Sequence, residues 1–135
     1  MNKFIKFLLA FKYAFAGIWA VLKKERNLKI HFAAAILVIL VGLYFGISRF
    51  EWLVLVLTIM LVFSLEIGNS AIETAIDLAC PKRDPKAKFA KDAAAGAVLV
   101  AAIGALIIGA IIFLDRCCFW ALTNVLQCYT FKLNG

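Results

Sequence analysis

Apolar residues fill this chain in long runs that stop at a few charged points. Ile30 to Ile47 is one uninterrupted run, about one membrane thickness when helical. The polar break "SRFEW" follows, and a second run starts at Trp52 and ends near Asp77. The segment "CPKRDPKAKFAKD" is a basic loop in which Pro81 and Pro85 are expected to end the helix. A third run spans Ala93 to Leu114, and residues 115–135 form a tail. Residues 1–24 differ from these runs. Lys3, Lys6, Ala10, Tyr13, Gly17, Ala20 and Lys24 recur at steps of three and four, which is one small or polar helical face. Phe4, Phe7, Leu8, Phe11, Phe15, Ile18 and Leu22 occupy the rest, as in a cationic helix lying in a membrane interface. The pattern predicts an all-α integral membrane protein, with an interfacial helix (1–24) and three transmembrane helices (30–47, 52–77 and 93–114), in one domain over 1–135.

Composition agrees. The chain is 65% hydrophobic, and a soluble domain of 135 residues with that content would expose too much apolar surface. The net charge is +7, but placement matters more than the total. Seven of the fifteen Lys/Arg lie in residues 1–29 and five more between Lys82 and Lys91. They flank apolar runs, which argues for membrane topology and against nucleic acid as a partner. The positive-inside rule puts both clusters in the cytoplasm, with the N-terminus inside and the tail outside. Lys12 interrupts the first apolar stretch and no clear small-x-small cleavage site precedes polar sequence, so a cleaved signal peptide is not expected. The four cysteines, Cys80, Cys117, Cys118 and Cys128, form no CxxC pair, and a zinc site is not expected. In the third run Ala93, Ala97, Ala101, Ala105 and Gly109 are each four apart, a small-residue stripe expected to be a packing face, within one chain or between chains.

The second run carries chemistry that a plain span does not need. "FSLEIGNSAIETAIDLAC" turns acidic before it stops being apolar. Glu66, Asn69, Glu73 and Asp77 are spaced by three, four and four, on one helical face. Glu66 lies about 21 Å from Trp52 along a helix, inside the ~30 Å hydrocarbon core. A carboxylate at such depth is costly and marks function by default. Val54 to Leu65 offers only Thr58 and Ser64, so a polar path across the whole membrane is absent. Polarity confined to one half suits chemistry between a lipid headgroup and a water-soluble partner. Clustered carboxylates attract Mg²⁺, which often bridges nucleotide phosphates, and Lys91 and Asp92 stand at the mouth of the third run. No GxxxxGK[ST] and no protein-kinase signature set occurs.

The motif "EIGNSAIETAID", followed by "AKFAKDAAAGAVL", resembles the prokaryotic diacylglycerol kinase family over about residues 3–114. "ERNLKIH" before the first span is similar to its Gram-positive branch, whose members act chiefly as undecaprenol kinases. The resemblance implies a homotrimer in the bacterial cytoplasmic membrane that transfers the γ-phosphate of ATP, with Mg²⁺, to a membrane lipid alcohol. It implies undecaprenol as the first-choice acceptor and diacylglycerol as the second. By motif, Glu66 corresponds to the proton acceptor and Asn69 to the amide near the reacting groups. Glu25 and Glu73 correspond to the Mg²⁺ carboxylates, and Lys91, Asp92 and Tyr13 to nucleotide contacts. Lys6 is a weaker candidate, and Asp77 a structural one. The loop departs from the family: "PKRDP" stands where "PEYHP" is common, so Lys82 and Asp84 replace an acid and a histidine. His31 is read as an interfacial residue, and Trp19, Trp52 and Trp120 as interface anchors. The rival of another class is a non-catalytic membrane protein or transporter subunit whose acids clamp an assembly.

Overall fold

The computed structural model describes residues 2–133, with side chains through Leu114 and at Arg116. Four helices follow in order: α1 (Lys3–Lys24), α2 (Arg26–Phe45), α3 (Arg49–Ala79) and α4 (Pro85–Leu133). Among the described residues there is no strand. All four helices are long and apolar enough to cross a membrane by length and composition, α4 over Pro85–Leu114. Such helices bond every interior backbone group within themselves, as a lipid environment demands. α4 packs chiefly on α3, α2 rests against α3, and α1 touches α2 and α3 more lightly.

The helix boundaries follow capping chemistry. α2 ends in a Schellman turn: Gly46 takes the left-handed conformation (φ 59°, ψ 51°). Its N–H donates to Leu43 O at 3.3 Å, and the Ile47 N–H donates to Gly42 O at 3.2 Å. Gly42 leaves room beneath this turn, because a Cβ there would stand 3.1 Å from Ile47 Cδ1 and from Trp52 Cη2. α3 then starts at Arg49, not at Trp52. Ser48 Oγ accepts the Glu51 N–H and the Glu51 carboxylate accepts the Ser48 N–H, a reciprocal capping box. The "SRFEW" break is therefore the first turn of a helix, and the true turn is Gly46–Ile47–Ser48.

The second loop needs a similar correction. α3 ends at Ala79, before Pro81, but Pro85 opens α4 and does not close α3. Asp84 Oδ1 accepts the N–H groups of Lys86 and Ala87, at 2.7 and 3.2 Å. An aspartate cap followed by proline at the first helical position is a start signal, since proline lacks only an N–H that would go unpaired there anyway. α4 thus begins eight residues before Ala93, and its backbone stays helical through Leu133, so the expected tail continues the same helix. The expectations for Cys117, Cys118, Trp120 and Cys128 fall on side chains outside the described residues.

Arg116 ties α4 to the α2–α3 turn. Its guanidinium donates to Phe45 O and Gly46 O at 3.2 and 3.3 Å, and to Glu51 Oε2 at 2.7 Å. It satisfies carbonyls that the end of α2 leaves without helical partners. Ile47, Leu55 and Ile112 are buried beside it, packed with Val38, Phe45 and Trp52. Elsewhere the buried apolar set is small: Leu28, Val62 and Val98. The face of α4 toward the bundle runs through Ala94, Val98, Ala101, Ala105, Ile108 and Ile112. The expected stripe follows that face only in part. Ala101, Ala105 and Gly109 are half-buried, whereas Ala93 and Ala97 are exposed. The reason is geometric: a step of four advances about 40° beyond a full turn, so a strict four-residue repeat winds off any one face.

The Gly46 turn yields a test. Gly46→Ala forces a Cβ into the left-handed region, at a cost of about 1–2 kcal/mol. We expect a lower melting temperature in detergent for Gly46→Ala and little change for Gly17→Ala, where a Cβ meets nothing within 4 Å. Equal stability of the two variants would contradict this account of the turn.

Candidate active site

The acidic row lies on α3 as the spacing requires, and it converges with the α1–α2 elbow. Glu66 is 3% exposed, buried among apolar helices. No hydrogen bond among the described residues reaches its carboxylate. Glu25, Glu73 and His31 all stand within electrostatic reach of it. Asn69 Nδ2 donates to Glu73 Oε1 at 3.0 Å, one turn along the same helix. Asn69 Oδ1 is buried and has no partner among the described residues. A buried acceptor left unpaired costs free energy, so this oxygen is suited to receive a ligand's donor.

Glu25 comes from the elbow. It is at once the C-cap of α1 and the N-cap of α2, in extended backbone (φ −86°, ψ 123°). Its side chain makes no capping bond and reaches α3 instead, where Ser70 Oγ donates to its Oε1 at 3.1 Å. Ser70 is 4% exposed. The residues singled out by spacing did not include it. Yet Ser70 is four residues after Glu66 and three before Glu73, so the same helical arithmetic admits it.

The nucleotide candidates divide. Lys91 on α4 bridges to Asp77 Oδ1 on α3, which gives Asp77 the structural partner its place in the motif implies. Both border a groove of about 680 Å³, lined also by Cys80, Lys82, Arg83 and Lys88. Asp84 lines this groove too, but its carboxylate is engaged in capping α4. Asp92 does not share the groove. One residue along a helix turns the side chain about 100°, and Asp92 pairs with Lys88 at 3.8 Å, its side chain 65% exposed. Tyr13 is 67% exposed on α1, and Lys6 is exposed on the same helix. Within one chain, then, Glu25, Glu66, Asn69 and Glu73 come together, Lys91 stands at the groove, and Asp92, Tyr13 and Lys6 lie apart.

Could these residues hold Mg²⁺? Among the described residues there is no preassembled group of three or more His, Cys, Asp or Glu. Mg²⁺ commonly takes only one or two carboxylates, with nucleotide phosphates and water completing the shell. Glu25 and Glu73 supply two such groups, and the donor set fits an ion that arrives on a nucleotide.

One buried carboxylate, Glu66, with the half-buried Glu25 and Glu73 near it and a basic groove at the same end, sits in an all-helical bundle of membrane-length helices. Comparison with known proteins makes the class specific. Residues 12–113 match the family model for prokaryotic diacylglycerol kinase. The undecaprenol kinase of Bacillus subtilis (strain 168) is 45% identical over 115 residues, 85% of this chain and 94% of that protein. A diacylglycerol kinase of Synechocystis is 40% identical over 108 residues, 79% of this chain and 62% of that protein. The diacylglycerol kinase of Haemophilus influenzae is 28% identical over 103 residues, 76% and 87% of the two chains. This chain belongs to the prokaryotic diacylglycerol kinase family. It is a lipid kinase of the membrane, acting by ATP-dependent phosphotransfer.

The Lys91–Asp77 bridge can be weighed by a double-mutant cycle with Lys91→Met and Asp77→Asn. Lys91 is 33% and Asp77 67% exposed, so solvent screens the pair. The coupling expected from unfolding in detergent is about 0.2–1 kcal/mol, shrinking as salt rises. Zero coupling at low salt would mean that the bridge does not hold α4 on α3.

Proposed function

We propose that this kinase transfers the γ-phosphoryl group of Mg·ATP to the hydroxyl of undecaprenol, with diacylglycerol as the second-choice acceptor. The carrying observation is the buried Glu66, placed with Asn69, Glu73 and Glu25 at the end of α3 that the basic loop flanks. The relative named undecaprenol kinase, 45% identical, supports the choice of acceptor. The two basic clusters support a cytoplasmic N-terminus and active site at the bacterial cytoplasmic membrane. On this reading α1 lies in the interface and α2, α3 and α4 span the bilayer. The many exposed apolar side chains, among them Leu43, Tyr44, Leu99 and Leu106, face lipid and neighbouring copies in a homotrimer.

The chemistry follows from the residues. A lipid hydroxyl is a weak nucleophile, and its oxygen attacks the γ-phosphorus as Glu66 accepts its proton. The new P–O bond joins phosphate to the acceptor, the bond to the β–γ bridging oxygen breaks, and ADP leaves. Asn69 Nδ2 keeps Glu73 in place, and Asn69 Oδ1 accepts from a ligand donor other than the reacting hydroxyl, whose one proton goes to Glu66. Glu25 and Glu73 would hold the Mg²⁺ that arrives with the nucleotide, and the ion would supply charge neutralisation at the phosphate oxygens. Lys91 faces the phosphates from the groove. Tyr13 and Asp92 complete the nucleotide contacts from outside this carboxylate set.

The deciding assay uses purified protein in mixed micelles with labelled ATP, Mg²⁺ and each lipid in turn. Label on undecaprenol ahead of diacylglycerol is expected. The reverse order overturns the acceptor, and label on neither lipid overturns the function in favour of a non-catalytic acidic clamp. Glu66→Gln should lower kcat by about 10²–10⁴-fold in a folded protein that still binds ATP. Near wild-type kcat would remove Glu66 from the role of base. Glu25→Gln and Glu73→Gln should each raise the Mg²⁺ requirement, and together by less than the sum of their separate effects, since they share one ion. Strict additivity with unchanged Mg²⁺ dependence counts against a shared site. Lys91→Ala should raise KM for ATP while Lys86→Ala stays active, and the opposite ranking would sink the assignment of Lys91.

A further inference from the structure

The bond between Ser70 and Glu25 joins residues 45 positions apart, and none of the proposed reaction steps uses it. A hydroxyl inside a helix often bonds back to the carbonyl one turn earlier. Thr58 does so to Val54 O, and Thr74 to Ser70 O. Ser70 instead donates out of its own helix to a carboxylate on another segment. That carboxylate sits at a break between two helices, with nothing in the local backbone to hold its side chain. Lys24 Nζ approaches the same oxygen, Glu25 Oε1, at 3.3 Å. Both contacts therefore fall on Oε1, and Oε2 is the oxygen to which no described residue donates.

We propose that Ser70 is a positioning residue for the kinase reaction, its hydroxyl fixing the Glu25 carboxylate beside Glu66 and Glu73 with Oε2 turned to the ligand. The proposal rests on the reading of Glu25 as a carboxylate that receives Mg·ATP. A glutamate side chain is flexible, and ordering it at the moment of binding would weaken the complex. Ser70 does that ordering in advance. It also registers the α1–α2 elbow against α3, which couples the position of α1 to the reacting end of the bundle. Because Ser70 is buried, water is poorly placed to replace its hydroxyl, and the bond is charge-assisted.

The test compares the full-length protein with Ser70→Ala and Ser70→Thr in mixed micelles. Two quantities are read: the Mg²⁺ and Mg·ATP dependence of the rate, and amide hydrogen exchange across residues 21–28. Ser70→Ala should raise the Mg·ATP concentration for half-maximal rate about tenfold, the size expected for losing one hydrogen bond to a charged group. At saturation kcat should change by less than about twofold. Exchange at the elbow should quicken while residues 66–76 keep their protection. Ser70→Thr, which retains the hydroxyl, should restore both readouts. In a Glu25→Gln background, Ser70→Ala should add no further shift in Mg²⁺ dependence. The proposal is overturned if Ser70→Ala lowers kcat with unchanged Mg·ATP dependence, if elbow exchange does not change, or if the shift persists in the Glu25→Gln background. Wild-type protein that phosphorylates no lipid would overturn the proposed function instead, and elbow exchange in Ser70→Ala would then judge the tie by itself.

Discussion

A carboxylate held in the apolar interior of a membrane bundle governs the rest of this molecule. Placing an acidic side chain near the middle of a transmembrane helix costs roughly 2.5–3.5 kcal/mol. Glu66 sits at the apolar end of the acidic row, with its neighbours arranged along the one direction that leads out of the bundle. Asn69 and Glu73 bond to each other one turn on, Ser70 holds Glu25, and Asp77 meets Lys91 near the loop. Glu66 and Asn69 Oδ1 have no partner among the described residues, while Glu73, Ser70, Glu25, Asp77 and Lys91 are paired, so pairing increases from the buried acid toward the basic groove. The opposite half of α3 needs none of this, and its lone threonine there, Thr58, bonds to its own helix.

Stability and chemistry are placed at opposite ends. At one end, the Schellman turn at Gly46, the capping box of Ser48 and Glu51, and the Arg116 guanidinium lock α2, α3 and α4 together. Ile47, Leu55 and Ile112 fill the space beneath. At the other end, helices meet through side-chain hydrogen bonds and an ion pair, with Leu28 buried at the elbow. The acidic end carries the groups left without a hydrogen-bond partner among the described residues, Asn69 Oδ1 and the Glu66 carboxylate.

Much of this was legible in the residues, and the misses have physical causes. Long apolar runs and charged breaks located the helices, because membrane thickness and the cost of charge in lipid leave few alternatives. Spacing put Glu66, Asn69 and Glu73 on one face, and they lie there. The boundaries were less legible because polar residues were taken for loop. Ser48-x-x-Glu51 and Asp84-Pro85 are helix starts, and both signals were present to be read. The alanine stripe meets this chain's own bundle only at Ala101, Ala105 and Gly109, because a repeat of four outruns the helical turn of 3.6 residues. Ser70 was passed over because serine is unremarkable in a helix until its partner is known, and that partner is 45 residues distant. Arg116 met the Gly46 turn across 70 residues, a pairing that no local pattern encodes.

The distribution of the nucleotide candidates carries the argument one step further. Glu25 reaches the acidic row only because the chain breaks at the elbow, so α1 is tethered to the site at that end. α1 buries none of its residues against the rest of the chain. A helix so apolar and so uncovered needs another surface, and its lysine-bearing stripe fits the boundary between lipid and water. Tyr13 lies about 18 Å from Glu25 along such a helix, at about 1.5 Å per residue. A nucleotide touching Tyr13, Lys91 and the carboxylates at once must therefore span the elbow, or else Tyr13 must come from a neighbouring copy in the proposed trimer. Both arrangements require α1 to hold a defined angle to α3. Among the described residues the contact that sets this angle nearest the carboxylates is the hydrogen bond from Ser70 to Glu25.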